Sequence, residues 1–403
     1  MLARLAPSPR LVLRVLDAPD RDLPVEIPLR DESLVIGRAS NGPRSISIRD
    51  PRLSRWHLSV TREGRSARVR DASTNGTFVM REGARARRVR YEAMIGDGDV
   101  LRAGDTFLLL REVPDAEGDV EIEGLIGRAP RMVALRAAVD ALAASRSSVL
   151  LTGESGTGTS AIARALHARS GRIGAFVAMR GSALAGPASV AARIEQARGG
   201  TLFLSDVDEV PAAAQVTLVH DSTREACMRV DVRLIAASHR DLSRAIADGR
   251  LRSDLHALLA ERTLVAPPLR DRREDVLPIL RHALGADAPP LAPSLVEALL
   301  THDWRFHVRE LLTVATELRV RGAGATSLEL DLVAARLDAP HAATPSVGPA
   351  SGVRSKLGAP SREDVERVWR EADGNVSEVA RRMRRSRRQV RRYLEQYGIT
   401  PVR

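Results

Sequence analysis

With 403 residues, the chain is long enough for two or three domains at the usual ~100–200 residues per domain. Its 44% apolar and 28% charged composition excludes an intrinsically disordered chain. No apolar run approaches the ~18–20 residues that span a bilayer, and Arg14 interrupts the first apolar stretch, so we expect neither a membrane span nor a secretory signal. A single cysteine, Cys227, argues against a disulfide framework and predicts a reduced, cytoplasmic location.

The net charge of +11 is compatible with a nucleic-acid partner without requiring one. All but one of the 62 basic residues are arginine, and the exception is Lys356. GC-rich codon usage explains most of this bias, but a site that needs a lysine ammonium elsewhere in the chain cannot have one. The low aromatic content (3%) argues against single-stranded nucleic acid held by base stacking.

Residues 1–118 alternate short apolar runs with Gly, Asn and Asp turns, a pattern that predicts an all-β sandwich. The predicted strands lie at residues 34–37, 45–48, 57–60, 67–69, 77–80, 99–101 and 106–110. An acidic segment at residues 113–123 separates this domain from the next.

Residues 119–338 alternate apolar strand patterns with helical patterns, which predicts an α/β domain with a parallel sheet. The predicted strands lie at residues 149–151, 176–179, 201–204 and 232–236. An all-helical lid is predicted over residues 269–338. Residues 339–360, rich in Pro, Ala, Ser and Gly, predict a flexible linker, and residues 361–403 predict a small all-α domain.

The predicted sandwich carries polar clusters where its strands meet, at residues 37–38, 54–57, 71–77 and 96–99. Arginine forks and hydroxyl groups on neighbouring loops can converge on a tetrahedral oxyanion, with Arg38 supplying charged donors. Each cluster by itself is common in turns, and turn residues that bind nothing are the alternative.

In this order, the clusters resemble those of the forkhead-associated (FHA) domain, a reader of phosphothreonine peptides. The resemblance covers about residues 10–112 and implies His57 as a structural support. It implies contacts to the phosphate and to the peptide backbone, made respectively by Arg38, Ser54 and Arg55 and by Thr74 and Asn75.

A glycine-rich segment follows the predicted strand 149–151 and precedes a predicted helix at residues 161–168. In that position, backbone N–H groups and a helix N-terminus can cradle phosphates. The residues of this candidate nucleotide site are Gly153, Glu154, Ser155, Gly156, Thr157, Gly158, Thr159 and Ser160.

The central domain resembles the AAA+ domain of sigma-54-dependent enhancer-binding proteins. The segments that carry this resemblance are residues 126–127, 153–158, 199–204, 233–237 and 267–270. It implies that Arg309 is the sensor arginine of the lid, facing the nucleotide, and that Arg252 is an arginine-finger candidate.

Several positions depart from that family. Thr159 replaces the P-loop lysine, which reaches the β- and γ-phosphates, and Ser205 replaces the first Walker B carboxylate. Asp208 and Glu209 could replace that carboxylate only in a shifted register. The sensor asparagine, the second arginine finger and the Gly-Asn before the lid arginine are replaced by His239, Leu258 and Phe306-His307.

We therefore expect a pseudo-ATPase, not an enzyme, that requires no cofactor and for which ATP or ADP binding stays open. A purely structural or oligomerising scaffold is the favoured interpretation of this domain. Ten residues separate Leu184 from Glu195, too few for the Gly-Ala-Phe-Thr-Gly-Ala loop by which the family contacts sigma-54. We expect that contact to be lost, and contact with RNA polymerase stays open.

The C-terminal segment predicts helices at residues 363–372 and 376–383 and a third from Ser386 to Tyr397, the last two forming a helix-turn-helix. It resembles the Fis-type DNA-binding domain. A solvated charged face is the alternative for its arginines. The candidate DNA-binding residues are Arg381, Arg382, Arg385, Arg387, Arg388, Gln389, Arg391 and Arg392. Arg388, Gln389 and Arg392 are the candidate base readers, and Arg381, Arg382, Arg385 and Arg391 the candidate phosphate contacts.

Taken together, these features predict a cytoplasmic bacterial transcription regulator that responds to phosphothreonine. The predicted partners are double-stranded DNA, a phosphothreonine-containing protein (a Ser/Thr kinase or its substrate) and a second copy of the chain, as a homodimer or higher homo-oligomer. Two alternatives stay open: an ATP-dependent activator of sigma-54 polymerase, and a phosphoprotein adaptor whose basic tail is incidental.

Overall fold

The computed structural model describes residues 10–81, 86–114, 119–337 and 362–371, together with Leu394 and Tyr397. The chain divides into two compact units, Met1–Ala339 and Pro340–Arg403. The first unit holds a β-sandwich followed by an α/β domain with a helical lid.

The sandwich consists of a six-stranded sheet, in the order β2-β1-β11-β10-β7-β8, and a five-stranded sheet, in the order β4-β3-β5-β6-β9. Its strands are β1 Arg10–Asp17, β2 Glu26–Pro28, β3 Leu34–Gly37, β4 Ser45–Ser47, β5 Leu58–Glu63, β6 Ser66–Asp71, β7 Thr77–Met80, β8 Arg87–Arg88, β9 Glu92–Ile95, β10 Val100–Ala103 and β11 Thr106–Val113.

Strands β5 and β6 alternate buried and partly exposed residues, as a sheet with one face in the core requires. Ile36, Val60 and Val69 fill the space between the two sheets and are fully buried. The predicted sandwich is therefore confirmed, and each of the seven predicted strands overlaps an observed strand. The predictions missed β1, β2, β8 and β9.

The α/β domain has a five-stranded parallel sheet in the order β13-β14-β15-β12-β16. Its strands are β12 Val149–Thr152, β13 Phe176–Arg180, β14 Thr201–Ser205, β15 Arg233–Ser238 and β16 Arg262–Val265. Its helices are α1 Pro130–Ala143, α2 Thr159–Arg169, α3 Pro187–Gln196, α4 Ala212–Val219, α5 Asp221–Arg229, α6 Leu242–Ala247 and α7 Ser253–Leu259. The parallel sheet is as predicted, with β16 as the strand that the pattern missed.

The lid follows as α8 Val276–Leu284, α9 Pro293–Thr301, α10 His307–Arg321 and α11 Ala334–Leu337. Its helices pack around Trp304, whose indole N–H donates to the carbonyl of Leu299 at 3.0 Å. The helical lid is thus confirmed, apart from a single parallel bridge between Leu291 and Leu328.

The sandwich and the lid share one apolar core. The sandwich side chains Met80, Phe107 and Leu109 belong to the same buried cluster as Leu277 and Leu299 of the lid. Strands β1 and β11 are consequently buried on both faces, which explains why β1 lacks the polar-apolar alternation of a half-exposed strand.

A buried ionic cluster lies at this junction. Glu274 accepts hydrogen bonds from Arg111 Nε at 2.8 Å and from Arg14 Nη1 at 3.3 Å, and its side chain is 1% exposed. Arg14 also pairs with Glu26 of β2. Two arginines of the sandwich therefore meet one carboxylate of the lid, so the two domains are joined by both charge and apolar contact.

In the second unit, the described helix is α12 Arg362–Glu371, close to the first helix predicted for this segment. Val365 and Trp369, four residues apart, are buried, as is Leu394. The linker and the predicted helix-turn-helix, with all eight candidate DNA-binding residues, lie outside the described residues.

Candidate functional site

The five candidate phosphopeptide residues lie on three loops of the sandwich that contact one another. The backbone of Gly37 approaches that of Arg55 so closely that a Cβ at Gly37 would lie 2.2 Å from the Arg55 carbonyl oxygen. The Arg38 N–H donates to the carbonyl of Ser54 at 2.9 Å. Glycine before Arg38 is therefore needed to bring the loops of Arg38 and Arg55 into contact.

Ser54 is held on both sides. Its N–H donates to Nδ1 of His57 at 3.1 Å, and its Oγ accepts the Thr74 N–H at 3.1 Å. Because the Ser54 hydroxyl accepts one hydrogen bond in this way, its own proton is directed away from Thr74 and is available to an oxyanion. His57 is fully buried, in agreement with a supporting role, and burial lowers the pKa of its imidazole.

Asn75 follows Thr74 at the tip of the β6–β7 turn. Its amide Nδ2 donates to the carbonyl of Arg52 at 2.7 Å, which fixes the side chain against the loop of Ser54. Gly76 completes the turn with φ +89°, a left-handed conformation that favours glycine. The turn therefore holds Thr74 and Asn75 beside Ser54.

Arg38 and Arg55 are both exposed, and within the described parts of the chain neither side chain forms an ion pair. Two unneutralised arginines on loops that meet at Ser54 suit a dianionic phosphate.

The sequence did not single out Asp50, which supports these loops from below. Its buried carboxylate accepts the N–H groups of Arg52 at 2.9 Å and Asp105 at 2.8 Å and the hydroxyl of Thr106 at 2.9 Å. It thereby connects the phosphopeptide loops to the β10–β11 turn. In the sequence Asp50 is simply an acidic residue between two predicted strands, which does not distinguish it from an ordinary loop residue.

The glycine-rich loop lies between β12 and α2 as predicted. Gly156 and Gly158 have φ angles of +93° and +106°, and α2 begins at Thr159 without a side-chain cap. The N–H groups of the first turn are thus available to phosphate oxygens. Within the described residues, the loop borders a cavity of about 830 Å³ and an apolar cavity of about 360 Å³.

The lid contacts this loop directly. Arg309 Nη1 donates to Ser155 Oγ at 3.1 Å, and a Cβ at Gly156 would lie 2.1 Å from the carbonyl oxygen of Phe306. Glu154 pairs with Arg270 of the lid and accepts a hydrogen bond from Nε2 of His307 at 3.1 Å. The hydrogen bond from Arg270 lowers the pKa of Glu154 to about 2.

The acidic residues after β14 are engaged by their neighbours. Asp208 is buried and accepts hydrogen bonds from Ser238 Oγ at 2.8 Å and from Arg240 Nη1 at 2.9 Å. Asp206, in a left-handed conformation with φ 52°, contacts Nδ1 of His239 at 3.0 Å. Arg252, the arginine-finger candidate, pairs with Asp254 of its own helix at 2.6 Å.

Among the described residues, no group of three or more His, Cys, Asp or Glu side chains is arranged to hold a metal ion. No helix in that part of the chain is long and apolar enough to cross a membrane.

Comparison with known families agrees with this division of the first unit. The FHA domain model matches residues 34–104, and the sigma-54 interaction domain model matches residues 126–269. The first covers the loops that hold Arg38, Ser54 and Asn75, and the second covers the glycine-rich loop and the parallel sheet.

The chain is similar to transcription regulators over most of its length. It is 31% identical to the transcriptional regulatory protein ZraR of Klebsiella oxytoca over 68% of this chain and 69% of that protein. It is 34% identical to the DNA-binding transcriptional regulator NtrC of Salmonella typhimurium over 57% of each chain. A crystal structure of NtrX from Brucella abortus in complex with ATP shares 26% identity, with a TM-score of 0.48, over 70% of this chain and 71% of that one.

Fold and motifs together define a regulator with an FHA sandwich and an AAA+ domain. The chain belongs to the family of sigma-54-dependent enhancer-binding transcription regulators, of the ZraR and NtrC type. The resemblance inferred from the sequence motifs is thereby confirmed.

Proposed function

We propose that this chain is a phosphothreonine-responsive transcription regulator that has lost ATP hydrolysis and sigma-54 contact. Its FHA domain binds a phosphothreonine-containing partner, and its C-terminal segment binds a specific DNA site as a dimer or higher oligomer. The observation that carries the proposal is the backbone contact between the loops of Arg38 and Arg55 around Ser54, with both arginines exposed.

The site suits a phosphorylated peptide because Ser54 and Asn75 are held in place by their neighbours. Thr74 and His57 fix Ser54, and the carbonyl of Arg52 fixes Asn75, so little conformational entropy is lost when a peptide binds. A phosphate with a charge of about −1.5 to −2 at pH 7 would neutralise both arginines.

The contacts after β14 support the loss of hydrolysis. Ser205 has no carboxylate, and the Asp208 carboxylate that a shifted register would use is already bonded to Ser238 and Arg240. Thr159 brings no cation to the glycine-rich loop, although the N–H groups of that loop still fit a nucleotide phosphate. These residues therefore fit a nucleotide better than they fit a magnesium-dependent reaction.

The DNA-binding part of the proposal rests on the sequence of residues 361–403 and on the family. An incidental basic tail would make the protein a phosphoprotein adaptor instead. The other alternative is the ATP-dependent activator of sigma-54 polymerase. The absence of room for the sigma-54 loop between Leu184 and Glu195 argues against it.

The first test measures binding of the full chain to a phosphothreonine peptide library by calorimetry. We expect binding only to phosphorylated peptides and a loss of tenfold or more for Arg38→Ala, because a hydrogen bond to a charged group contributes about 1.5–3 kcal/mol. Arg65→Ala, a change of equal charge at an exposed residue paired with Glu112, is the control and should bind normally. Equal binding of phosphorylated and unphosphorylated peptides would exclude this function.

A further inference from the structure

A second cluster of arginines adjoins the phosphopeptide loops on the FHA sandwich. Strands β8 and β9 are the edge strands of the two sheets, and a groove of about 520 Å³ lies between them. Val79, Val89 and Ala93 form its floor. We call it the basic groove, since it is lined by Arg81, Arg87, Arg88 and Arg90.

The charge of the basic groove is only partly neutralised. Arg81 pairs with Asp99. Among the described residues, the one acidic residue that lines the groove is Glu92, which pairs with Arg68 and Arg70 outside it. Within the described residues, the exposed side chains of Arg87, Arg88 and Arg90 form no ion pair. Three positive charges therefore face solvent along one groove.

Arg88 connects this groove to the phosphopeptide site. A Cβ at Gly76 would lie 2.5 Å from Nε of Arg88, so the guanidinium group lies directly against the turn that carries Asn75. The adjacent Val89 N–H donates to the carbonyl of Thr77 at 2.8 Å, which fixes β8 against that turn. A peptide bound at Asn75 would continue past Arg88.

We propose that the basic groove binds Asp and Glu side chains of the same partner whose phosphothreonine is bound at Arg38 and Arg55. This inference rests on the proposed function and adds a specificity: the FHA domain selects phosphothreonines that are followed or preceded by an acidic run. Several carboxylates along an extended segment match three separated guanidinium groups better than one compact charge does. The occupant is thus an acidic segment of the partner protein.

The test uses the full chain and three degenerate peptide pools of equal length. In one pool phosphothreonine is flanked by Asp and Glu, in the second by Asn and Gln, and in the third an unphosphorylated threonine is flanked by Asp and Glu. We expect the first pool to bind about tenfold tighter than the second, since exposed ion pairs are individually weak but three act together. This preference should decrease as salt rises.

The decisive variant replaces Arg87, Arg88 and Arg90 with Gln. It should lose the preference for the acidic pool and keep the dependence on phosphorylation. The matched control, Arg62→Gln with Arg65→Gln and Arg319→Gln, removes the same charge outside the groove and should behave as the wild type. If the triple variant fails to fold, single Arg87→Gln and Arg88→Gln variants should each lose part of the preference.

Other results would overturn the inference in distinguishable ways. Equal binding of the two phosphorylated pools, or a preference that persists in the groove variants, would mean that the arginines only protect the sheet edges from pairing. If the groove variants, but not the matched control, bound duplex DNA more weakly than the wild type, the groove would be a nucleic-acid contact. If the phosphorylated acidic pool bound no better than the unphosphorylated acidic pool, the proposed function itself would be rejected.

Discussion

Thr159 occupies the first position of α2, where a lysine would reach the β- and γ-phosphates of a bound nucleotide. Its side chain has no charge, and the carboxylate of Asp208 is bonded to Ser238 and Arg240. The first turn of α2 therefore has no cation at this position, and the buried carboxylate after β14 is engaged by its neighbours; both observations support the proposed loss of hydrolysis.

We predict that purified full-length protein releases no phosphate from ATP at a rate useful for remodelling, and that Thr159→Lys alone does not restore turnover. Phosphate release measured with and without Arg252→Ala tests this prediction, because arginine fingers contribute about 10³–10⁵ in rate to NTPases that use them. Robust release by the wild type that depends on Arg252 would revive the ATP-dependent activator.

Asp275 shows how burial raises the pKa of a single carboxyl group. Its Oδ1 accepts the N–H groups of Arg128 at 2.6 Å and Ala129 at 3.0 Å, and the residue is fully buried. Burial raises the pKa of this carboxyl to about 6. Because the pKa is higher in the folded state, the protonated carboxyl stabilises the folded protein relative to the ionised one. This contribution to the free energy of unfolding is fully present below the unfolded pKa of about 3.9 and is lost as pH rises through about 6.

We therefore predict that Asp275→Asn becomes more stable relative to the wild type as pH rises from 4 to 7. The difference in the free energy of unfolding should change by about 2–3 kcal/mol over that range, and denaturant titrations at several pH values measure it. A difference that does not vary with pH would contradict the raised pKa.

At the scale of elements, the recognition helix predicted after Ser386 separates two classes of arginine. The sequence predicts Arg388 near the start of this helix, where a side chain would reach guanine in the major groove. It predicts Arg382 late in the preceding helix, which would cross the DNA backbone. The tail also follows a predicted linker, which would let it dimerise on DNA.

We predict that Arg388→Ala loses about 1–3 kcal/mol and relaxes preference at one base pair. Arg382→Ala should weaken all sequences alike and reduce the salt slope by about one unit. Fluorescence titrations of the full chain and of a 361–403 fragment on specific and random duplexes measure both effects. Uniform losses in both variants would exclude base readout by Arg388, and no duplex binding at all would leave the phosphoprotein adaptor.

At the scale of the whole molecule, the FHA sandwich and the lid form one body. Met80 and Phe107 share a core with the lid, and Glu274 of the lid binds both Arg14 and Arg111 of the sandwich. When Glu274 is removed, both arginines lose their buried partner, although Arg14 keeps Glu26 and Arg111 keeps Asp97 as a second carboxylate.

Glu274→Gln is therefore expected to lower the free energy of unfolding by about 1–3 kcal/mol, because the variant loses charge-assisted hydrogen bonds in a buried site while each arginine keeps one carboxylate. Glu63→Gln removes the partner of Arg68 on the sandwich surface, where an ion pair contributes little, and is the matched control. Thermal or denaturant unfolding compares the two variants. If both unfold under the same conditions, the ionic cluster does not join the domains.

The predictions from sequence succeeded where structure is local. Strands β3 and β7 begin and end where the apolar pattern placed them, and α2 follows the glycine-rich loop as expected. The five candidate phosphopeptide residues could also be named from the sequence, because their clusters follow one another in the order of the FHA domain, and their binding role stays a prediction. The structure then brought those loops together through Gly37 and Ser54.

The sequence by itself determined the class of the sandwich and of the α/β domain and the family, since these follow from periodic patterns and short motifs. Tertiary structure alone decided the rest. Strand β1 was missed because Arg14 interrupts its apolar run, and only the tertiary structure provides the buried carboxylate of Glu274 that lets an arginine lie in this strand. Likewise, the pairing of Arg14 and Arg111 with Glu274 joins residues more than 160 positions apart, and no local pattern specifies such a contact.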